Sequence, residues 1–265
     1  MTRHCAPQCG HVHFSTLKHF GRSPAHYHYY AEHGVEPTAA MHLGTAIHNL
    51  VLEGGAGIVK FDGASRRGKA WETFKAEHDP GAIILTESEH ETALEASLSV
   101  AAHDGAMALL HGLKEHRIDW TTNGRPCRGT VDAVNGNLVE LKSTSDARPE
   151  FFSRLAMKMH YFAQLAWYRD GCNEDVTINP VGARNIIKRA FIVAVETAPP
   201  YVVQTFELTP GALEFGRKQY HLWLERLAVC EASADWPGYV QADVPLDAPE
   251  EALELQIGSE LVEVS

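Results

Sequence analysis

Asp132, Glu140 and Lys142 are the residues through which this 265-residue chain could do chemistry. They lie in two short runs, Gly129-Thr130-Val131-Asp132-Ala133-Val134 and Leu138-Val139-Glu140-Leu141-Lys142, joined by Asn135-Gly136-Asn137. Residues two apart on a strand point to the same face, so Glu140 and Lys142 project together, with Val139 and Leu141 on the opposite, buried face. A tight turn sets Asp132 of the preceding strand beside Glu140. Two carboxylates and one ammonium then share a patch. Hard divalent cations such as Mg²⁺ prefer oxygen ligands and keep several waters. Asp132 and Glu140 could supply two such ligands and the backbone carbonyl of Leu141 a third. A metal held there lowers the pKa of a bound water and screens a phosphate. Lys142 could position that water or stabilise charge developing on phosphorus. The competing reading is a solvent-exposed strand face with a charge pair, an arrangement that is common and contributes little.

The surrounding pattern says which elements position these residues. Residues 14–33 read as a helix interrupted at Pro24, with Leu17 and Phe20 apolar, and 39–53 as a helix that carries His48 and ends at Gly54-Gly55. Residues 56–85 are mixed, with a short helix over 69–77. From 88 to 113, Leu94, Leu98, Ala101, Leu109 and Leu110 recur at helical spacing. Strands are expected at 118–122, 129–134 and 138–142, with Asn123-Gly124 as a hairpin signal. A helix over 150–169 follows, then β-rich runs at 186–195 and 201–208 separated by Pro199-Pro200, and a helix over 210–230 using Leu213, Tyr220, Leu224 and Leu227. The order predicts an α/β domain whose mixed central sheet is flanked by helices, spanning 14–240 between an N-terminal tail (1–13) and an acidic C-terminal tail (241–265). In the 150–169 helix, His160, Gln164 and Tyr168 fall at i, i+4 and i+8 on one face. Such a stripe could contact a DNA backbone or be an ordinary solvated face. His48, alone in an apolar helix, reads as a partly buried histidine or as a ligand.

Composition restricts the partners. Lys plus Arg number 23 and Asp plus Glu 34, a net charge of −11. A protein that holds nucleic acid by bulk charge should be basic, so any grip on DNA must come from a local basic surface, helix N-termini or bridging metal ions. Hydrophobic residues make up 45%, enough for a core. No run of eighteen apolar residues predicts a membrane span, and MTRHCAPQCGHVHF lacks the apolar stretch of a signal peptide, so a cytoplasmic location is expected. Five scattered cysteines argue against a disulfide framework. Cys5 and Cys9 lie among His4, His11 and His13, at a spacing that fits no standard zinc module.

Asp132…Glu140-Leu141-Lys142 matches the D…ExK core of the PD-(D/E)xK nuclease superfamily, whose fold is restriction-endonuclease-like. Beyond that core, GTAIHNLVLEG, RRGKAWETFKAEH, CRGTVDAV, VELKSTSDA, YFAQLAWYRDG, AVETAPPYVV and WPGY occur in the order expected of the RecE-like exodeoxyribonuclease VIII group. From about residue 14 to 239 the chain resembles a phage or prophage recombination exonuclease whose nuclease domain stands alone. The resemblance implies roles. His48 matches the motif histidine near the metal. Asp132 and Glu140 match the metal-binding acids, and Lys142 the catalytic lysine. Gln164 and Tyr168 match the QxxxY motif and are expected to belong to the catalytic set and to engage DNA, and Glu115 matches an upstream acid loosely. It also implies Mg²⁺, with Mn²⁺ able to substitute, digestion of linear duplex DNA from 5′ ends to leave 3′ single strands, and a single-strand annealing protein as partner. The family forms rings, and in a ring Arg66, Arg67 and Lys69 would be the inward-facing basic residues. Relatives with an iron–sulfur cluster use four cysteines, and only Cys230 lies near this C-terminus, so no cluster is expected. A structure-specific or restriction-type endonuclease on the same core, a non-catalytic DNA-binding recombination partner, and an unrelated small-molecule metalloenzyme remain as alternatives.

Overall fold

Strand β5 (Leu138–Thr144) is apolar enough to be covered on both sides, and the sheet is built around it. The computed structural model describes residues 9–63, 66–79, 81–182, 186–239 and 243, with the backbone of 254–257 and 260–263. Five strands lie in the order β3 (Leu113–Thr122), β4 (Arg125–Val134), β5, β6 (Ala190–Glu196) and β7 (Val203–Glu207). Pairing is antiparallel except between β5 and β6, which run parallel. Parallel neighbours need a crossover, here α7 (Pro149–Lys158) and α8 (Tyr161–Glu174). The Asn123-Gly124 hairpin forms as expected, both residues taking the positive φ of a type I′ turn (51° and 71°).

The sheet separates two cores, and β6 shows why. Its AFIVAV run puts Ala190, Ile192 and Ala194 into one core and Phe191, Val193 and Val195 into the other, the signature of a strand buried on both faces. The first core lies under α1 (Phe14–Leu17), α8 and α9 (Pro210–Ser233), and includes Leu213, Tyr220, Leu224 and Leu227. The second lies under α3 (Ala39–His48) and α5 (Glu87–Ala101) with α6 (Asp104–Leu109).

Several expectations need correction. Pro24 does not merely interrupt a helix: it is the first residue of α2 (Pro24–His33), capped by the Ser23 hydroxyl, and a 3₁₀ turn (Lys18–Gly21) links it to α1. Two parallel strands, β1 (Ile58–Phe61) and β2 (Ile83–Thr86), flank α4 (Gly68–Ala76) in the segment read as mixed. Four-residue strands are too short to show a period. The 88–113 helix breaks at His103, whose ring accepts the Ala106 amide as the cap of α6. Its buried face is Ala93, Ala96 and Val100, whereas Leu94 and Leu98 are 40% and 53% exposed. The leucines outweighed the alanines in the pattern, but the close approach of α3 selects small residues. The 150–169 helix is two helices, divided at His160 in a left-handed conformation (φ 59°). The N-terminal tail is not wholly separate, because Val12 exchanges backbone hydrogen bonds with Pro126 and Arg128 of β4. Cys5 and His4 lie outside the described residues, as does most of the acidic tail. Within that tail β8 (Glu254–Ile257) and β9 (Glu260–Glu263) pair antiparallel.

Helices α8 and α9 are locked by Asp170, which accepts hydrogen bonds from the Arg217 guanidinium and the Tyr220 hydroxyl. Burial alone would push the Asp170 carboxyl up, but these donors outweigh it and hold the group below its usual 3.8. A depressed carboxyl stabilises the fold above its unfolded-state pKa and loses that contribution as pH falls through its folded-state value. Asp170→Asn should therefore cost about 2 kcal/mol at neutral pH, the range for hydrogen bonds to a charged group. The gap from wild type should shrink as pH falls below 4, as urea unfolding followed at pH 7 and under acid conditions will show.

Candidate active site

The β4–β5 ladder is short. Val134 pairs with Leu138 and Ala133 with Val139, and there pairing stops. The next residues in register are Asp132 and Glu140. The Leu141 amide, which has lost a ladder partner on that side, donates instead to the Asp132 carboxylate (Oδ2, 2.7 Å). On a strand a residue's N–H and C=O leave from the same edge, so the Leu141 carbonyl also faces the opening, as a ligand role requires. The side-chain alternation of β4 breaks here too, since Val131 packs into one core and Ala133 into the other. Across β4, Glu115 falls opposite Asp132 between the pairs Lys114–Ala133 and His116–Val131. Its φ of 46° is strained for a residue with a Cβ, and such strain collects at functional sites.

Through this opening, side chains from both helical layers meet. His48, at the C-terminus of α3, brings Nδ1 to 3.4 Å from Asp132 Oδ2. The helix continues beyond it as a π turn (Asn49–Glu53), the wide form that re-aims side chains at functional positions. His48, Glu115 and Asp132 offer ligand atoms that all lie within 4.8 Å of one another. From the other layer, Gln164 of α8 donates to Glu140 Oε2 at 3.2 Å. Lys142 donates to the same oxygen at 2.9 Å. Tyr161 was not singled out in the sequence; its ring centroid lies 5.1 Å from the Lys142 ammonium. No local signal in the sequence marks it, because the break at His160 that starts α8 is set by tertiary packing.

Asp132 and Glu140 are 5% and 2% exposed, which removes the reading of a solvent-exposed charge pair. Burial first, and then the neighbouring Asp132 charge, push the Glu140 carboxyl up to about 7. Burial works against the charge on Lys142, but Glu140 and Asp132 outweigh it and hold the ammonium above the ordinary lysine range. Glu140 Oε1 is buried and has no hydrogen-bond partner among the described residues. A lone pair left unsatisfied in such a site is what a cation-binding carboxylate would show. With two or three carboxylates, a carbonyl and one imidazole, the donor set fits a hard divalent metal of the Mg²⁺ or Mn²⁺ kind.

Other expected site residues lie elsewhere. Tyr168 packs against Gly129, where its ring leaves no room for a Cβ, and against Phe14. His160 is not on a stripe with Gln164. As the N-cap of α8 its ring turns away to meet Trp223 edge-on (5.1 Å) and Gln219 (3.4 Å). Arg66 is engaged within the fold, its guanidinium binding Glu89 (2.8 Å) and the Ile84 carbonyl (2.8 Å). Arg67 and Lys69 are exposed at the start of α4. Cys9 Sγ lies 3.1 Å from His13 Nε2, but among the described residues only His48, Glu115 and Asp132 cluster in metal-ligand fashion.

Gln164 therefore orients a carboxylate instead of reaching outward. Side chains that hold metal ligands in place typically alter affinity about 10–100-fold. Gln164→Ala should weaken Mn²⁺ binding by about tenfold with little change in folding, read by titration calorimetry and thermal unfolding. Unchanged Mn²⁺ affinity would remove Gln164 from the site.

The family called PDDEXK-like domain of unknown function (DUF3799) matches residues 13–243. No curated protein matches the chain. A crystal structure from Eubacterium rectale, described as a "Putative exonuclease", superposes with a TM-score of 0.63 over 92% of each chain at 14% identity. At that identity the likeness speaks for the fold, and it is the fold expected for the D…ExK core. With the family match covering nearly all of the described residues, the chain belongs to the PDDEXK-like DUF3799 family, on the fold of the PD-(D/E)xK nuclease superfamily.

Proposed function

We propose that this protein is a divalent-metal-dependent deoxyribonuclease that degrades linear duplex DNA from its ends. The observation that carries the reading is the buried convergence of Asp132, Glu140 and Lys142 where the β4–β5 ladder opens, with His48, Glu115 and Gln164 around it. Asp132, Glu140, the Leu141 carbonyl, His48 and Glu115 would hold the metal, Mg²⁺ in the first place with Mn²⁺ as substitute. Bound there, it supplies Lewis acidity at a phosphoryl oxygen and acidifies a water. The protein's own part is preorganisation. The Leu141 amide fixes Asp132, Gln164 fixes Glu140, and the Tyr161 face and Glu140 hold the Lys142 ammonium in one place. Lys142 can then stabilise charge that develops on the phosphate in the transition state. Tyr168, one turn after Gln164, supports β4 through Gly129. Arg67 and Lys69 are the surface candidates for DNA contact.

The finer reading follows the resemblance to the RecE-like exodeoxyribonuclease VIII group. It comprises 5′→3′ polarity, 3′ single-stranded products passed to an annealing protein, and a closed ring that retains DNA despite a net charge of −11. Among the described residues no helix is long and apolar enough to cross a membrane.

With Mg²⁺ or Mn²⁺, linear duplex labelled at its 5′ ends should release label as mononucleotides or short oligonucleotides, and excess EDTA should stop release. Lys142→Ala should lower the rate by at least about 100-fold, as loss of a transition-state charge stabiliser does, while still binding metal. Cutting of closed circular duplex at the same rate would replace the exonuclease by an endonuclease. Full hydrolysis in EDTA would sink the metal-dependent reading.

A further inference from the structure

The 3₁₀ turn Lys18–Gly21 lies beside the site and has no part in the chemistry above. Gly21 sits so close to the His160 ring that a Cβ would collide with its Nε2. His160 is followed in the chain by Tyr161, whose face holds the Lys142 ammonium. The turn thus packs on His160, the chain neighbour of the residue that covers Lys142.

What the turn presents there is positive. Lys18 is only partly accessible, yet among the described residues its ammonium makes no hydrogen bond or ion pair. Burial, and then the Lys142 charge, hold its pKa below the ordinary lysine range. His19 stacks on Tyr30 (ring centroids 4.0 Å), and its buried Nε2 has no partner among the described residues. Arg22 follows and donates to the Tyr239 hydroxyl (3.0 Å). An unpaired, partly buried ammonium next to a second one costs stability, and an apolar side chain of the same length would avoid that cost. Among the described residues no acid compensates the charge at residue 18, and a ligand that brings negative charge would do so.

We propose that the Lys18 turn is a phosphate-binding element, in which the Lys18 ammonium, flanked by His19 and His160, holds a backbone phosphodiester of the DNA strand adjacent to the phosphate addressed by Lys142. This rests on the reading of the chain as a deoxyribonuclease. It also answers the net charge of −11: the grip on the polyanion is local and set beside the cut. Lys18 is a substrate-binding residue in this account, and the cut itself remains with Lys142 and the carboxylates.

The test is binding of a fluorescent linear duplex by the full chain, followed by anisotropy across a salt series. Ca²⁺ is supplied to neutralise the carboxylates. Wild type, Lys18→Met, Lys18→Arg and Lys218→Met are compared, the last removing an exposed lysine that only pairs with Glu214. Lys18→Met should weaken binding about tenfold near 0.1 M salt and lower the slope of log K against log salt by about 1, the signature of one lost phosphate contact. Lys18→Arg and Lys218→Met should keep the wild-type slope. Lys18→Met should also unfold at a higher temperature than wild type in the absence of DNA, which a merely structural lysine would not do. Wild-type affinity and slope in Lys18→Met, in a protein that binds and cuts DNA, would overturn the Lys18 site alone. A less stable Lys18→Met would show that the ammonium is paired within the fold and would overturn it equally. A wild type that neither binds nor cuts duplex would overturn the deoxyribonuclease reading and this site with it.

Discussion

The structure around the site depends on one hydrogen bond, from the Leu141 amide to the Asp132 carboxylate, formed where β4 and β5 cease to pair. A ladder that ran on would satisfy Leu141 through backbone and close the sheet. Because the carboxylate takes that donor, the strands can separate without orphaning a buried amide. The separation makes a passage between two layers that a continuous sheet would keep apart. His48 reaches it from the α3 layer and Gln164 from the α8 layer. The same bond fixes the rotamer of Asp132, so the acid that opens the sheet is also aimed by it.

Opening the sheet in a buried place raises an electrostatic problem. Asp132 and Glu140 repel each other in a medium that screens poorly, and burial together with this repulsion pushes the Glu140 carboxyl above the usual carboxylate range. Lys142 is the internal counter-ion, with its position defined by Glu140 and by the Tyr161 face. With both acids ionised, one ammonium leaves the cluster short of positive charge, and among the described residues Glu140 Oε1 is unsatisfied. A site in that state is primed for a divalent cation, and the carboxylates need not be reorganised to receive it. Under the metal-dependent reading proposed above, burial that would be a liability in a structural ion pair would be the source of affinity.

Local irregularities sit where the chain must deliver a side chain off its regular path. The π turn after His48, the left-handed Glu115 in β3 and the left-handed His160 between α7 and α8 each break a regular element within reach of the site. The break at His160 starts α8 afresh, so that Tyr161 faces Lys142 and Gln164 faces Glu140. It also turns His160 toward α9 and the 3₁₀ turn, where it meets Trp223 and Gly21.

Much of this was determined by sequence alone. The strand–turn–strand carrying Asp132, Glu140 and Lys142 was legible because hairpin signals and a period of two are local properties. So were the α/β class, the paired strands around Asn123-Gly124, and the apolar face of α9. The tertiary structure decided what depends on neighbours distant in the chain. The 150–169 segment reads as one helix until packing against α9 and Gly21 puts His160 into the left-handed region. The leucines of α5 outrank its alanines in any local pattern, yet the alanines are buried because α3 comes close. Arg66 looks like a free cation in RRGK and is committed to Glu89 and Ile84. Nothing local marks Lys18 or Tyr161, since their meaning lies in their distance from Lys142. Types and spacings specify which groups can do chemistry. Which of them share a dry, charged cleft is set by where the β4–β5 ladder opens and what the two helical layers bring to the gap.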